Sequence, residues 1–528
     1  MVPMHSGGLR RWRAPAALAA GALPALSLPA PALWWFAYVA LVPWMLLLRT
    51  ARTGRRAALE GWLGGAGYIL AVHHWLLPSL HVFLLPVAAL VGLLWIPWAL
   101  LVRRLLGGRP SAGRAACALA VVPAGWLLSE VVRSWQGLGG PWGLLGAGQW
   151  QVPAALRLAS VGGVWLVSLL LVAVNCALVL LLAVPSARVP AVAGLTGCAV
   201  LTGAVWAWAA RPAESGGLRV AVVQPGPVPD GPDSAERRFA AGERLTRPLA
   251  GQGVDLVVWG ESSVGEDLSA RPELARRLAA LSAEVGAPLL VNVDARRADR
   301  PGIYKSAVLV GPAGPTGDRY DKMRLVPFGE YVPARSLFGW ATSVGRAAGE
   351  DRMRGEAPVV MDLPARPDGR AGVRVGPLVC FESAFPDMSR RLTLDGASLL
   401  VAQSATSTFQ DSWAPDQHAS LAALRAAENG RPMVHATLTG VSVVHGPSGE
   451  RIGPALPTSA RTAEVYEVPL AGGSTLFVRF GAWPVSAALA VLAGYCAAVG
   501  ARALRRPDPE PTSPPSRTAR GFGARRGR

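Results

Sequence analysis

The sequence has 528 residues, of which 51% are hydrophobic and 16% are charged, and its mean hydropathy is +0.32. This composition is too apolar for an ordinary soluble protein and indicates a membrane protein. The formal net charge of +18 would favour a nucleic-acid partner only if the basic residues formed one surface. They fall instead in short groups between apolar segments, so nucleic-acid binding is excluded.

Eight apolar segments approach the roughly 20 residues that a helix needs to cross a bilayer core, and they lie at 14–30, 32–48, 57–76, 82–102, 115–132, 160–184, 189–209 and 478–501. Groups of arginine precede the first segment and follow the second and the fourth. The positive-inside rule then predicts a cytoplasmic N-terminus and an exit from the cytoplasm after the seventh segment. A cleaved signal peptide is the alternative for the first segment, but the apolar sequence resumes at once, which favours a helical hairpin.

The chain therefore divides into four predicted parts, which are a membrane domain with seven spans at 1–213, an extracytoplasmic domain at 214–475, an eighth transmembrane helix at 476–501 and a basic disordered cytoplasmic tail at 502–528. Within the extracytoplasmic domain, short apolar runs predict buried strands at 218–223, 254–259, 288–293, 306–310, 373–379 and 398–402. Helical patterns at 271–285 and 415–429 intervene, so we expect an α/β layered domain.

Cys380 is the only one of five cysteines outside the predicted spans. An extracytoplasmic cysteine without a partner is either a buried bystander or a reactive thiol. Cys380 follows the apolar run Gly376–Val379 and precedes polar residues, which is typical of a strand-to-helix turn that exposes a nucleophile. The sequence therefore favours a reactive thiol.

Only two of the 52 basic residues are lysine, namely Lys305 and Lys322. A compact ammonium suits a developing oxyanion in a way that a planar guanidinium does not. Lys322 lies among acidic and aromatic residues and is the candidate for that role, whereas Lys305 directly precedes a strand and is interpreted as a surface replacement. Glu261 ends a strand in a Gly-Glu-Ser-Ser turn and is either a general base or a solvated loop acid. Strand ends are where open α/β sheets bind ligands.

These residues resemble the Glu-Lys-Cys triad of the nitrilase (carbon-nitrogen hydrolase) superfamily, and within it the apolipoprotein N-acyltransferase family. The motifs are YDKMRLVPFGEYVP at Tyr320–Pro333, VCFE at Val379–Glu382, and Gln417-His418 followed by LRAAE at Leu424–Glu428. The resemblance extends over nearly the whole chain. It implies eight membrane spans and a nitrilase-like αββα sandwich between the seventh and the eighth.

The resemblance also implies a mechanism in which Glu261 is the general base, Lys322 the oxyanion stabiliser and Cys380 the nucleophile, supported by Glu330, Phe381 and Glu382. A fatty acyl chain would pass from a membrane phospholipid, through a Cys380 thioester, to the α-amino group of the diacylglyceryl-cysteine at a lipoprotein N-terminus. The implied enzyme needs no cofactor or metal and acts as a monomer in the bacterial cytoplasmic membrane. The arginine- and alanine-rich composition is typical of high-GC bacteria and indicates an actinobacterial type.

Three segments depart from the family pattern. Ala405–Phe409 stands where relatives read Asn-Asp-Ala-Trp-Phe, Leu438–Val441 stands where Asn-Asn-Gly-Ile is common, and the loop Pro225–Asp233 lacks a tryptophan often found there. Two other functions stay open, namely a membrane-tethered nitrilase-type amidase and a non-catalytic membrane scaffold. The lysine motif and the span order argue against the amidase, and the three intact candidate residues argue against the scaffold.

Overall fold

The computed structural model describes residues 8–229, 231–339, 349–364 and 372–504, so most of the predicted tail lies outside the described residues. The first nine helices form a bundle and are α1 Gly8–Ala22, α2 Val42–Arg49, α3 Gly54–His73, α4 Leu77–Leu80, α5 Leu84–Gly92, α6 Ile96–Leu106, α7 Ala112–Arg133, α8 Pro153–Ala183 and α9 Arg188–Trp208. The remaining helices are α10 Ser234–Thr246, α11 Pro272–Val285, α12 Arg335–Phe338, α13 Pro386–Leu394, α14 Ala414–Asn429, α15 Leu476–Phe480 and α16 Trp483–Leu504.

Five helical stretches among the described residues are long and apolar enough to cross a bilayer, and they are Gly54–Leu106, Ala112–Arg133, Pro153–Ala183, Pro185–Trp208 and Trp483–Leu504. The first has 53 residues and turns back on itself, because α3 packs along both α5 and α6. It therefore covers two of the predicted spans. The apolar segments before it form the 15-residue α1 and the short helical stretch Trp34–Arg49, so the count of eight spans stays a prediction.

Four arginines of the bundle, Arg13, Arg49, Arg56 and Arg103, gather at one end of the helices. Arg13 and Arg56 both bind the buried carboxylate of Glu60 at 2.7 Å. Nearby, Arg49 Nε donates to the Leu106 carbonyl, and Arg103 Nε donates to the Ala51 carbonyl. The other end of α3 lies about 30 Å away, since a helix rises about 1.5 Å per residue. There, His74 contacts Trp413 of the polar domain, with 4.4 Å between ring centroids.

The loop between α7 and α8 folds back into the bundle, where buried polar side chains hold its backbone. The Glu130 carboxylate accepts from the Leu145 amide at 2.7 Å, and the Arg133 guanidinium donates to the Trp142 carbonyl at 2.7 Å. The Tyr68 hydroxyl donates to the Gly143 carbonyl at 2.6 Å. Because these groups satisfy backbone atoms that lie away from water, the irregular loop is tolerated inside the helical bundle.

The polar domain contains twelve strands among its described residues, and they are β1 Ala213–Gln224, β2 Leu256–Trp259, β3 Leu289–Arg296, β4 Ile303–Gly311, β5 Gly314–Asp321, β6 Met361–Asp362, β7 Arg374–Val379, β8 Leu399–Ser404, β9 Met433–Thr437, β10 Ser442–His445, β11 Arg451–Leu456 and β12 Thr462–Gly472. They form two six-stranded sheets, ordered β12-β1-β2-β3-β4-β5 and β11-β10-β9-β8-β7-β6. Strands lie at all six predicted sites, and α11 and α14 lie where helices were predicted.

The two sheets pack face to face, and helices cover both outer surfaces. Apolar side chains of β1, β2, β7 and β8 meet between the sheets, including Val220, Leu256, Val379 and Val401. Helices α10 and α11 pack on the first sheet, and α13 and α14 pack on the second. The layer formed by α13 and α14 is continuous with the apolar core of the bundle. The domain is therefore an αββα sandwich seated on the membrane helices.

Helix α8 is broken at Gly162 and Gly163, where the backbone leaves the helical conformation and φ of Gly163 is +68°. The amide of Val164, which begins the second half of the helix, donates to the Glu428 carboxylate at 2.8 Å. Glu428 also accepts from Arg425 at 2.8 Å, and Arg425 donates to the Ala384 carbonyl at 2.8 Å. A carboxylate from α14 thus caps a membrane helix, which joins the two parts of the molecule.

Candidate active site

Cys380 lies at the end of β7, where the strand passes into a short 3₁₀ turn at Cys380–Ala384 and then into α13. Its φ is +52°, in the left-handed region that side chains other than glycine rarely adopt. Two hydrogen bonds to the Cys380 carbonyl hold this conformation, one from Ser383 Oγ at 2.9 Å and one from His418 Nε2 at 3.0 Å. The turn that the sequence predicted is therefore present, and its strain is held by its neighbours.

Glu382 connects the turn at Cys380–Ala384, called here the cysteine turn, to the loop at residues 322–333 that follows β5, called here the lysine loop. One oxygen of its buried carboxylate accepts from the Val379 amide at 2.8 Å. The other accepts from the Tyr320 hydroxyl at 2.7 Å and from the amides of Met323 and Arg324 at 2.7 and 3.0 Å. No side chain with one carbonyl oxygen could satisfy four donors in this way. Glu382 acts on the site by fixing the backbone on both sides of it.

The base and oxyanion candidates belong to a group of four charged side chains that lie on β4 and in the segments that follow β2 and β5. Lys322 Nζ lies 3.2 Å from Glu261 Oε1 and 2.7 Å from Glu330 Oε1. Lys305 Nζ lies 2.9 Å from Glu261 Oε1 and 3.1 Å from Glu330 Oε1. The second Glu330 oxygen accepts from the Val326 amide at 2.8 Å, which fixes this carboxylate to the lysine loop.

The neighbouring ammonium groups keep both carboxylates charged. Burial alone would raise the pKa of Glu261, but Lys305 and Lys322 outweigh it and hold that pKa below its usual value. For Glu330, burial is likewise outweighed by Lys322 and Lys305, which lower its pKa to about 2. Glu261 is consequently an ionised proton acceptor at neutral pH.

Burial, followed by the negative charge of Glu261, raises the pKa of the Cys380 thiol to about 12, although Lys322 acts in the opposite direction. The charge of Lys322 favours the thiolate as the sequence suggests, but the other influences exceed it. A resting thiol with this pKa is protonated at neutral pH. Its proton must therefore leave during nucleophilic attack, and Glu261 is the ionised group whose charge acts most strongly on the thiol.

The loop between α7 and α8, called here the membrane loop, is connected to the cysteine turn through two residues of α14. Trp142 Nε1 donates to Gln417 Oε1 at 2.7 Å, and the Trp142 ring lies 5.3 Å from the His418 ring. Burial lowers the pKa of His418 to about 4, so its imidazole is neutral when it contacts the Cys380 carbonyl. Gln417 and His418 therefore link the membrane loop to the cysteine turn.

The two loops that carry Cys380 and Lys322 face the helical bundle. The ring of Phe381 packs edge-on against that of Phe385 with 4.9 Å between centroids, and a Cβ added at Gly140 of the membrane loop would lie 2.7 Å from Phe385 and 2.8 Å from Phe381. In the lysine loop, Met323 and Val326 pack against the apolar core that contains the membrane helices. The site thus adjoins the membrane-spanning part of the chain.

The structure brings Glu261, Lys322 and Glu330 into direct contact, and their charges act on Cys380. The sequence reading of Lys305 as a surface replacement is wrong, because its side chain is only 13% exposed and binds Glu261 directly. The scarcity of lysine was the signal that could have identified it. Its contacts were hidden because they come from strands and loops distant in the sequence.

Comparison with known proteins finds a matching family for the membrane part of the chain and another for the polar domain. The carbon-nitrogen hydrolase family profile matches residues 219–472, and the apolipoprotein N-acyltransferase N-terminal domain profile matches residues 20–177. The apolipoprotein N-acyltransferase of Azotobacter vinelandii is 34% identical over 524 residues, covering 91% of this chain and 93% of its own. That of Geobacter metallireducens is 30% identical, covering 90% of this chain and 94% of its own. The chain belongs to the apolipoprotein N-acyltransferase family.

As a member of this family, the chain is a membrane-bound N-acyltransferase whose substrate is a lipoprotein. The family prediction, the nitrilase-like sandwich and the apolar membrane helices are all confirmed. Among solved structures, an amidase of the nitrilase superfamily from Nesterenkonia is 19% identical and covers 49% of this chain and 93% of its own. Its TM-score of 0.34 is too low for a comparison of the two sites.

Proposed function

We propose that Cys380 carries the acyl chain as a thioester, with Glu261 as the general base and Lys322 as the stabiliser of the oxyanion. The observation that carries this proposal is the shared contact of Glu261 and Lys322 at 3.2 Å, both acting on a thiol in a strained turn. A nucleophile needs a proton acceptor and a fixed positive charge at the same place, and this arrangement supplies both.

In the first step, Cys380 Sγ attacks the ester carbonyl carbon of a phospholipid while Glu261 takes the thiol proton. The carbonyl oxygen becomes an oxyanion that Lys322 stabilises, with the Phe381 amide as a second donor. The carbon–oxygen bond of the ester then breaks, and the lysophospholipid leaves as an alcohol with the proton from Glu261. One thioester and one lysophospholipid result, and no external cofactor takes part.

In the second step, the α-amino group of a diacylglyceryl-cysteine attacks the thioester carbon. Glu261 accepts a proton from the amine, the carbon–sulfur bond breaks, and the proton returns to the Cys380 sulfur. The product is an amide and the thiol is restored. Because each substrate reacts separately with the enzyme, we expect ping-pong kinetics.

The supporting residues hold this geometry. Glu330 anchors Lys322 at 2.7 Å and is itself fixed to the lysine loop, so the ammonium has a defined position. Glu382 fixes the loop and the cysteine turn through four hydrogen-bond donors. We assign Glu330 and Glu382 as positioning residues and Phe381 as an oxyanion donor through its backbone.

We further propose that the chain acts as a monomer in the cytoplasmic membrane, with residues 1–213 and 476–501 in the bilayer, residues 214–475 outside the cytoplasm and residues 502–528 in the cytoplasm. The gathering of Arg13, Arg49, Arg56 and Arg103 at the end of the bundle away from the sandwich supports this orientation. An active site beside the membrane helices suits substrates that are anchored in lipid.

The proposal is tested by intact-protein mass spectrometry after incubation of the full chain with phospholipid in detergent. The unaltered protein should gain one acyl mass on Cys380 that hydroxylamine removes. We expect Cys380→Ala to gain none, and Glu261→Gln and Lys322→Met to lose about 10² to 10⁴ in rate, as is usual when a general base or an oxyanion donor is removed. Asp387→Asn is the matched control, because this carboxylate is 64% exposed and binds Arg324 outside the proposed triad.

An acyl adduct on Cys380→Ala, or an unchanged rate in Glu261→Gln, would contradict the proposed roles. An adduct on the unaltered protein that passes only to water would favour the membrane-tethered amidase. No adduct on any protein, together with normal folding, would favour the scaffold.

A further inference from the structure

Lys305 occupies a position that the proposed mechanism does not use. Its ammonium lies 2.9 Å from Glu261 and 3.1 Å from Glu330, and its side chain is 13% exposed. A third carboxylate, Asp294, lies 3.8 Å away and is also bound by Arg352 at 3.2 Å. Desolvating an ammonium in this way is costly unless opposite charges surround it, so the contacts explain how a lysine persists here.

The backbone sets the two lysines side by side. Lys305 lies on β4 and its carbonyl accepts from the Lys322 amide at 2.8 Å, at the point where β5 ends. Across the other edge of β4, Lys305 pairs in register with Asp294 of β3. Both ammonium groups therefore reach the same pair of carboxylates from neighbouring strands.

A count of charges shows what Lys305 contributes. The group holds three cations, Lys305, Lys322 and Arg352, and the three carboxylates of Glu261, Glu330 and Asp294, so its charges balance. Without Lys305, one ammonium would face two buried carboxylates, and Lys322 would be held between them. The remaining excess negative charge would also oppose ionisation of Glu261 and formation of an oxyanion nearby.

We propose that Lys305 is a positioning residue that keeps Glu261 ionised and aimed, and thereby frees Lys322 to stabilise the oxyanion. This inference rests on the proposed roles of Glu261 and Lys322. It assigns the two lysines different tasks, since Lys305 serves the base while Lys322 serves the reacting oxygen. Lys305 itself need not touch the substrate.

The test is the pH dependence of Cys380 acylation in Lys305→Met and Lys305→Gln, measured on the full chain with phospholipid in detergent. Removing the ammonium should raise the pKa of Glu261, so its ionised form appears only at higher pH. The acid limb of the pH–rate profile, where the rate rises with pH, should therefore move to higher pH. We expect that limb to shift by about one pH unit or more, with a smaller change in rate well above it, where Glu261 is ionised in every variant. Half-saturation by phospholipid should not change.

Arg319→Met is the matched control, because Arg319 is a partly buried cation on β5 whose ion pairs are with Asp267 at 2.9 Å and Asp321 at 3.2 Å. Its acid limb should coincide with that of the unaltered chain. Lys305→Gln keeps a hydrogen-bond donor without the charge, so it reports on the charge if Lys305→Met fails to fold.

An acid limb that stays in place in both Lys305 variants would overturn the inference, as would a shift of the same size in Arg319→Met. The proposed function fails separately, through acylation that persists in Glu261→Gln. If Glu261→Gln is inactive while the Lys305 variants keep the original limb, only the role of Lys305 is lost.

Discussion

At the scale of the residue, Cys380 combines a strained backbone conformation with a thiol that is protonated at neutral pH. Its φ of +52° is maintained by bonds from Ser383 and His418 to the carbonyl oxygen. Burial and the charge of Glu261 raise its pKa to about 12, so proton transfer to Glu261 and attack on the ester belong to the same step. A thiol that stays protonated at neutral pH reacts chiefly when an ester is in place and Glu261 can take its proton.

This thiol should have an unusual alkylation profile. The alkylation rate of an ordinary thiol with a pKa of about 8.5 levels off above about pH 9.5. For Cys380, the logarithm of the iodoacetamide rate should instead keep rising through about pH 10.5 without a plateau, because the thiolate is still a minor form there. The rate can be followed by peptide mass spectrometry on the full chain, with Cys380→Ala as the blank. A plateau that begins below about pH 10 would contradict the raised pKa of this thiol.

Sequence could identify residues whose local context carries the signal, and it failed where partners come from elsewhere. Cys380 was marked by its strand end and Lys322 by its motif. Lys305 was misread because a Tyr-Lys-Ser segment before a strand gives no hint that Glu261 and Glu330 lie within 3.1 Å of its ammonium. The mutual contacts of the site depend on register between strands, which no single segment contains.

At the scale of the element, the break in α8 connects the membrane helices to the turn that carries Cys380. Glu428 caps the second half of the helix, and Arg425 connects Glu428 to the nucleophile turn at Ala384. The sequence predicted one continuous span at 160–184 and gave no indication of this break. The break requires Gly163 because its φ is +68° and Phe477 packs where a side chain would extend.

Gly163→Ala should therefore be destabilising. An alanine there would bear a strained φ costing about 1–2 kcal/mol, and its Cβ would lie 2.7 Å from the Phe477 ring. Gly197→Ala in α9 is the matched control, since its Cβ would meet no atom within 4 Å, and alanine favours a helix by up to about 1 kcal/mol. Thermal unfolding in detergent should show a lower midpoint for Gly163→Ala alone. Equal midpoints would refute the account of the break.

The strands differ in how well the sequence revealed them. Strands β2 and β8 were predicted from their apolar runs, whereas β9 and β10 are just as buried but were not predicted, because each carries polar residues that include a histidine. Strands β5 and β11 were not, because their residues are largely exposed or partly exposed and carry glycine, proline and charged side chains. Partly exposed edge strands lack the continuous apolar pattern that marks a buried one.

At the scale of the whole molecule, the sandwich and the bundle share one apolar core. The layer of α13 and α14 meets the membrane helices on one side and the second sheet on the other. The order of the two parts was predictable from hydropathy and arginine placement. Their contact was not, because it depends on the folded-back loop around Trp142 and on the α8 break, and neither has a hydropathy signature.

The central claim is that one sulfur receives the acyl chain and then passes it to an amine. The most direct test is to load Cys380 from phospholipid, remove the donor, and add a peptide that begins with diacylglyceryl-cysteine. The acyl mass should leave the protein and appear on the peptide α-amino group, with little free fatty acid. Release of fatty acid without peptide acylation, or an adduct that the peptide cannot discharge, would contradict the account.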